Sequence, residues 1–236
     1  FSFGRSLNKG CQQAKGRVLV LISGHCIPCD KKWLDNLVKP LFEEKVEYTY
    51  GRQIGGNDTF TSEKKIYEKY FPEISKIPQE GFFCNNANSA LLTKTWMKYK
   101  FNEELTGLED MFFCKTLVED GGKVGYVSES CVYHLHNENN KQIKKRFERE
   151  AYALQKIYPN LVLRKRDFLR YFIQGSSNDF KYLIKEKKLN LYSLISILNY
   201  RFFQYWGSYI GNNIKDPLND KIKDSYFYPS NKINNN

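Results

Sequence analysis

RSLNKGCQQAKGRVLVLIS, residues 5–23, decides the fold class. The spacing over 5–15 predicts a helix that Gly10 weakens and Gly16 stops, glycine being the favoured residue just past a helix end. VLVLIS (18–23) follows at once as a continuous aliphatic run, the pattern of a strand buried on both faces. Helix, glycine, buried strand is an α/β signature.

Working outward, GHCIPCD (24–30) reads as a loop, with Asp30 as the N-cap of a helix from about Lys31 to Phe42. Trp33, Leu34, Leu37 and Leu41 in it recur at helical spacing. VEYTYGRQ (46–53) alternates as a strand, IGGNDTFTSE is loop, and KKIYEKYF (64–71) is a short helix. EGFFCNNANSALLTKTWMKY begins as a strand and turns helical at about Thr93. A further helix starts near Glu109 and stops at Gly121–Gly122. KVGYVSESCVYHLH is a strand pair or one bent strand, and from Asn140 a basic amphipathic helix runs to Pro159. Two or three more helices, rich in aromatics and Lys, follow over 160–225. The expected division is an α/β body (1–160), a helical appendage (161–228) and a disordered tail (229–236).

At 236 residues the chain fits one domain with an appendage, on a prior of roughly 100–200 residues per domain. No apolar run approaches the roughly 20 residues of a membrane-spanning helix. The opening FSFGRSLNKG has neither an apolar leader core nor a Met, so residue 1 is expected not to be the natural start. A net charge of +11 and a pI near 9.2 favour anionic partners. No nucleic-acid-binding motif accompanies that charge, so nucleic acid is not among the expected partners. Six cysteines make no disulfide framework, and the single CxxC (Cys26, Cys29) lacks the second pair of a zinc site. A reducing cytosol fits best.

Three stretches taken in order carry a family resemblance: NKGCQQAKGRVLVLISGHCIPCDKKWL, NNANSALLTKTWMKYKFNEELTGLEDMFF and GGKVGYVSESCVYHLHN. Together they resemble the inverting family 2 glycosyltransferases of GT-A fold, most closely bacterial, rhamnosyltransferase-like builders of surface polysaccharide. The resemblance covers roughly 1–160. It implies a Rossmann-like mixed sheet flanked by helices, here lacking the first βα units that hold the nucleotide base. It also implies transfer of a sugar from a nucleotide-diphosphate donor to a glycan or lipid-linked acceptor hydroxyl. The expected location is the cytoplasm, peripheral at the inner face of the plasma membrane. The alternative is a glycosyltransferase-like module that binds without catalysis.

The resemblance assigns residues. Asp110, of the Glu109–Asp110 pair opening a helix, is the expected general base, because inversion needs a group to take the acceptor's proton. The family's Asp-x-Asp, which holds a divalent Mn²⁺ or Mg²⁺, is replaced by Ser23-Gly24-His25. Imidazole suits Mn²⁺ better than Mg²⁺, and His25 could instead hydrogen-bond a phosphate. His134 falls at the family's late-strand histidine, with His136 two residues on; all three histidines of the chain thus sit at motif positions. Imidazole ligation requires the neutral ring, so metal-dependent activity is expected to fall through about pH 6–7. Asn85, Asn86 and Asn88 are candidates for the donor- or acceptor-sugar wall. Arg146 and Arg149 face either solvent or the leaving diphosphate. NLYSLISILNYRFFQYWGSYIG (190–211) reads either as an interfacial helix on an anionic membrane or as ordinary packing.

Overall fold

The computed structural model describes residues 2–215 together with 218, 222 and 226; the tail expected over 229–236 lies outside the described residues. Among the described residues one mixed sheet organises the chain. Its strands are β1 (Val18–Ile22), β2 (Cys26–Pro28), β3 (Tyr48–Ile54), β4 (Asn88–Leu92) and β5 (Val124–His134), in the order β1-β4-β3-β5-β2. β3 and β5 run parallel; the other neighbouring pairs are antiparallel. The helices are α1 (Phe3–Gln13), α2 (Trp33–Phe42), α3 (Thr61–Tyr70), α4 (Thr93–Tyr99), α5 (Glu109–Glu119), α6 (Asn140–Ile157), α7 (Lys165–Lys185) and α8 (Leu191–Asn212).

Strand pleating sorts the core into two layers. Tyr48, Tyr50 and Leu91 join Trp96, Phe101, Phe113, Leu117 and Tyr126 in one cluster. Ala90 and Leu92, one position out of phase, pack with Leu37, Leu41 and Val46 in the other, under α2. Thr49 shares that phase and donates its hydroxyl to the Leu37 carbonyl at 2.8 Å.

Four expectations need correction. VLVLIS forms β1, but at the sheet edge and bonded to β4 alone among the described strands, leaving Val20 and Ile22 exposed. An aliphatic run reports strand propensity and says nothing of how many neighbours the strand acquires. CIP, expected in a loop, is β2, paired with the end of β5; three residues are too few to show a period. The segment before Asn88 is not strand, because its asparagines turn the chain onto α5. Asp30 is not the helix cap: its carboxylate accepts the Lys32 N–H at 2.7 Å, making a turn just ahead of α2. Of the two readings of 123–136, the single bent strand holds. β5 slips register against β3 between Gly51 and Arg52.

The C-terminal helix α8 packs one face against α6 and α7. α8 buries Ile197, Tyr200, Arg201, Gln204, Gly207 and Gly211. A Cβ on Gly207 would stand 2.3 Å from the Lys144 carbonyl oxygen, and one on Gly211 would stand 1.9 Å from that of Glu148. Glycine at both positions therefore lets α8 lie directly on α6. Arg201 grips Asp179 of α7 through two bonds of 2.7 and 2.8 Å, and the same carboxylate accepts the Ser62 hydroxyl of α3 at 2.6 Å. α8 thus packs one face on α6 and α7 and leaves Leu191, Tyr192, Ile195 and Phe202 exposed.

Gly211→Leu should cost about 1–3 kcal/mol through overpacking and lower Tm by several degrees in calorimetry. Gly10→Ala, inside α1 with nothing within 4 Å of the new Cβ, should raise Tm slightly. Equal Tm values for Gly211→Leu and the parent chain would contradict this packing.

Candidate functional site

The antiparallel pairing of β2 with β5 gathers the three histidines. Cys26 stands opposite His134, and the Leu135 N–H donates to the His25 carbonyl at 3.1 Å, which brings residues 25, 134 and 136 together. Their ring centroids lie 4.3–5.1 Å apart. The Nε2 atoms of His25 and His134 are 2.8 Å apart, and one nitrogen from each of the three rings lies within 4.8 Å of the others.

Hydrogen bonding fixes the tautomers. The Asn85 side-chain oxygen accepts from the Ala87 N–H at 2.9 Å and from Gln53 Nε2 at 3.0 Å. Gln53 must then turn its oxygen to His134, where Oε1 accepts from Nδ1 at 2.6 Å. His134 therefore carries its proton on Nδ1, and its Nε2 lone pair accepts from the Nε2–H of His25 at 2.8 Å. His136 is set the same way: Nδ1 donates to the Glu63 carboxylate at 2.8 Å. That carboxylate oxygen also accepts from Arg146 at 2.8 Å and from the Tyr200 hydroxyl at 3.3 Å. Such outer hydrogen bonds orient imidazoles in metal sites.

Burial disfavours the charged forms of His25 and His134. Burial, then the neighbouring His136, push His25 below the ordinary imidazole value. Burial, with His136, His25 and Arg146 adding to it, pushes His134 down to about 2. Burial alone would raise Glu63, but the His136 and Arg146 bonds hold it below the usual carboxylate range. The expected loss of imidazole ligation at pH 6–7 therefore moves to more acidic pH.

The second half of the site is the start of α5. Leu108, in the left-handed region at φ 56°, turns the chain so that Glu109 and Asp110 open the helix. Asp110 accepts the Asn86 N–H and the Met111 N–H, each at 2.7 Å. Both carboxyls are buried. Burial, then the adjacent Asp110 charge, raise Glu109 to about 8. Burial raises Asp110 to about 6 against the pull of its backbone donors.

The remaining candidates divide. Asn86 accepts the Tyr48 hydroxyl at 2.6 Å, while its own amide nitrogen is buried without a hydrogen-bond partner. Asn85 is half-buried and belongs to the Gln53 link. Asn88 is structural: fully buried, it accepts from Trp33 Nε1 at 2.8 Å and donates to the Ser130 carbonyl at 2.8 Å, leaving no exposed atom for a sugar. Ser23 turns the chain between β1 and β2, donating its N–H to Ala87 and accepting from Cys26. Arg146 faces neither solvent nor an open cleft, being paired with Glu63 and Glu138. Arg149 lies over the Phe3 ring. Gln53 and Glu63 escape the sequence reading. The one hint is a polar residue ending a strand and an acid opening a helix, neither distinctive.

No family model matches the chain. Over 130 residues it is 25% identical to the O-antigen chain rhamnosyltransferase RfbN of Salmonella typhimurium, a stretch covering 51% of this chain and 41% of that enzyme. In structure it is similar to the mannosyltransferase PcManGT from Pyrobaculum calidifontis, solved with GDP-Man and Mn²⁺, at a TM-score of 0.54 and 10% identity. That likeness covers 88% of this chain and 64% of the archaeal one. The fold is a glycosyltransferase fold. The chain spans less than two thirds of either relative.

A carboxyl raised in the folded state stabilises below its unfolded value, and that contribution is lost as pH rises through the folded value. Relative to Glu109→Gln, the parent chain should therefore lose Tm steadily between about pH 4.5 and pH 8, by a few degrees in all. A pH-independent Tm difference would contradict the burial of this ionisable group.

Proposed function

We propose that the chain is the catalytic part of an inverting glycosyltransferase of the GT-A, family 2 kind. It moves a sugar from a nucleoside-diphosphate donor to a hydroxyl of a glycan or lipid-linked acceptor in surface-polysaccharide synthesis. One observation carries the reading. A continuous hydrogen-bonded path runs from Asp110 through the Asn85–Asn86 turn and Gln53 to the imidazoles, so a base and an anion- or cation-holding cluster form one site.

In this reading Asp110 takes the proton of the attacking hydroxyl. A carboxyl raised toward neutrality is a better-matched base than an ordinary one. Glu109, raised further, stays protonated beside it and adds no second negative charge near neutral pH. The donor set of His25, His134 and His136 fits Mn²⁺ or another first-row ion and does not fit Mg²⁺, which wants oxygen ligands. Held there, such an ion would neutralise charge on the leaving diphosphate.

Attachment to an anionic membrane draws on the exposed apolar residues of α7, with Leu191, Tyr192 and Ile195 of α8 also exposed. Leu169 and Ile173, one turn apart, are exposed on the helix that carries Arg166 and Arg170. Among the described residues no helix is long and apolar enough to cross a membrane. Leu169→Glu with Ile173→Glu should abolish co-sedimentation with anionic vesicles while leaving Tm nearly unchanged; undiminished co-sedimentation would remove α7 from the interface.

The direct test is sugar transfer from a panel of nucleoside-diphosphate sugars. Asp110→Asn should lower turnover about 10²–10⁴-fold with donor binding retained. EDTA should abolish activity, with Mn²⁺ restoring it better than Mg²⁺, and His25→Ala should weaken Mn²⁺ binding at least tenfold. Equal rates for Asp110→Asn and the parent chain would remove Asp110 from the mechanism, and EDTA-insensitive transfer would remove the metal.

A further inference from the structure

The same strand pair that gathers the histidines also sets two thiols face to face. Cys26 is in register with His134 and Pro28 with Val132, so the next pair along the ladder is Cys29 with Cys131. The Cys29 N–H donates to the Cys131 carbonyl at 2.9 Å, and the two Sγ atoms are 3.0 Å apart. Both residues are half-buried, within reach of a small reagent, whereas Cys11, Cys84 and Cys114 are buried.

We propose that Cys29 and Cys131 form an oxidisable pair whose disulfide staples β2 to β5. The partner of Cys29 is thus on the neighbouring strand, not Cys26 of its own CxxC. The step balances with a low-molecular-weight disulfide as oxidant. The Cys29 thiolate attacks it, releasing one thiol and forming a mixed disulfide. Cys131 then loses its proton and displaces the second thiol, so two electrons pass to the reagent and one protein S–S bond forms. Burial and the neighbouring Cys29 raise the Cys131 thiol above its ordinary value.

The staple acts where the sheet is weakest. β2 is three residues long and lies at an edge, with β5 alone beside it among the described strands, and the residue before it is His25. Reduced, this strand is free to fray; oxidised, it is tied, and His25 is kept against His134. The inference stands on the thiol geometry alone and does not require the proposed catalysis.

The test is to equilibrate the native chain in oxidised glutathione, record the intact mass, then block free thiols and take the non-reducing peptide map. The expected result is a loss of about 2 Da, two hydrogen atoms, with one cross-linked peptide pair joining Cys29 to Cys131. The oxidised chain should also show a Tm raised by several degrees that reverts on reduction. Cys29→Ser should abolish the mass loss, and Cys26→Ser should retain it. No mass loss, or a cross-link mapping to Cys26–Cys29 or Cys84–Cys114, would overturn the proposal.

Discussion

One buried amide holds the site together. Gln53 is 1% exposed, and both ends of its side chain are committed, the nitrogen to Asn85 and the oxygen to His134. A buried amide with either end unpaired would cost about 1–3 kcal/mol, so neither end is free to turn. Because Asn85 already accepts from Ala87, the glutamine has only one orientation, and that orientation dictates the tautomer of His134. The same turn carries Asn86, whose N–H fixes Asp110. Position and protonation of groups on β3, β5 and α5 thus follow from one side chain.

Support reaches this centre from the C-terminal helices. Tyr200 of α8 and Arg146 of α6 meet at Glu63, which sets His136. One residue earlier, Ser62 is held by Asp179 of α7, itself clamped by Arg201. A buried ion pair of this kind adds little net stability, but removing one partner strands the other charge at about 3–5 kcal/mol. The close contact of α8 with α6 through Gly207 and Gly211 is therefore linked to the histidines through Arg146 and Glu63, although neither glycine is near them in sequence.

Much of this was legible in the residues. The opening of α5 at Glu109 and the helix from Asn140 follow from local pattern, and the grouping of the three histidines is what the family resemblance implies. What escaped depends on partners distant in the chain. β1 and a doubly buried strand share one aliphatic pattern, and only the sheet order distinguishes them. β2 exists because β5 is long enough to pair with it. Asn88 looks like a sugar-binding amide until Trp33 and Ser130 are seen to use it up. Arg146 on a basic helix reads as solvated until Glu63 and Glu138 face it. Gln53 gains its role only from what surrounds it.

The convergence of three imidazoles on one point is the central claim, and anomalous diffraction from a Mn²⁺-soaked crystal tests it most directly. The predicted result is a single manganese peak at bonding distance from Nε2 of His25 and of His134, with His136 beside it and Gln53 still bridging His134 to Asn85. A manganese peak bound only to carboxylates elsewhere, or His134 turned to place Nδ1 toward His25, would contradict it.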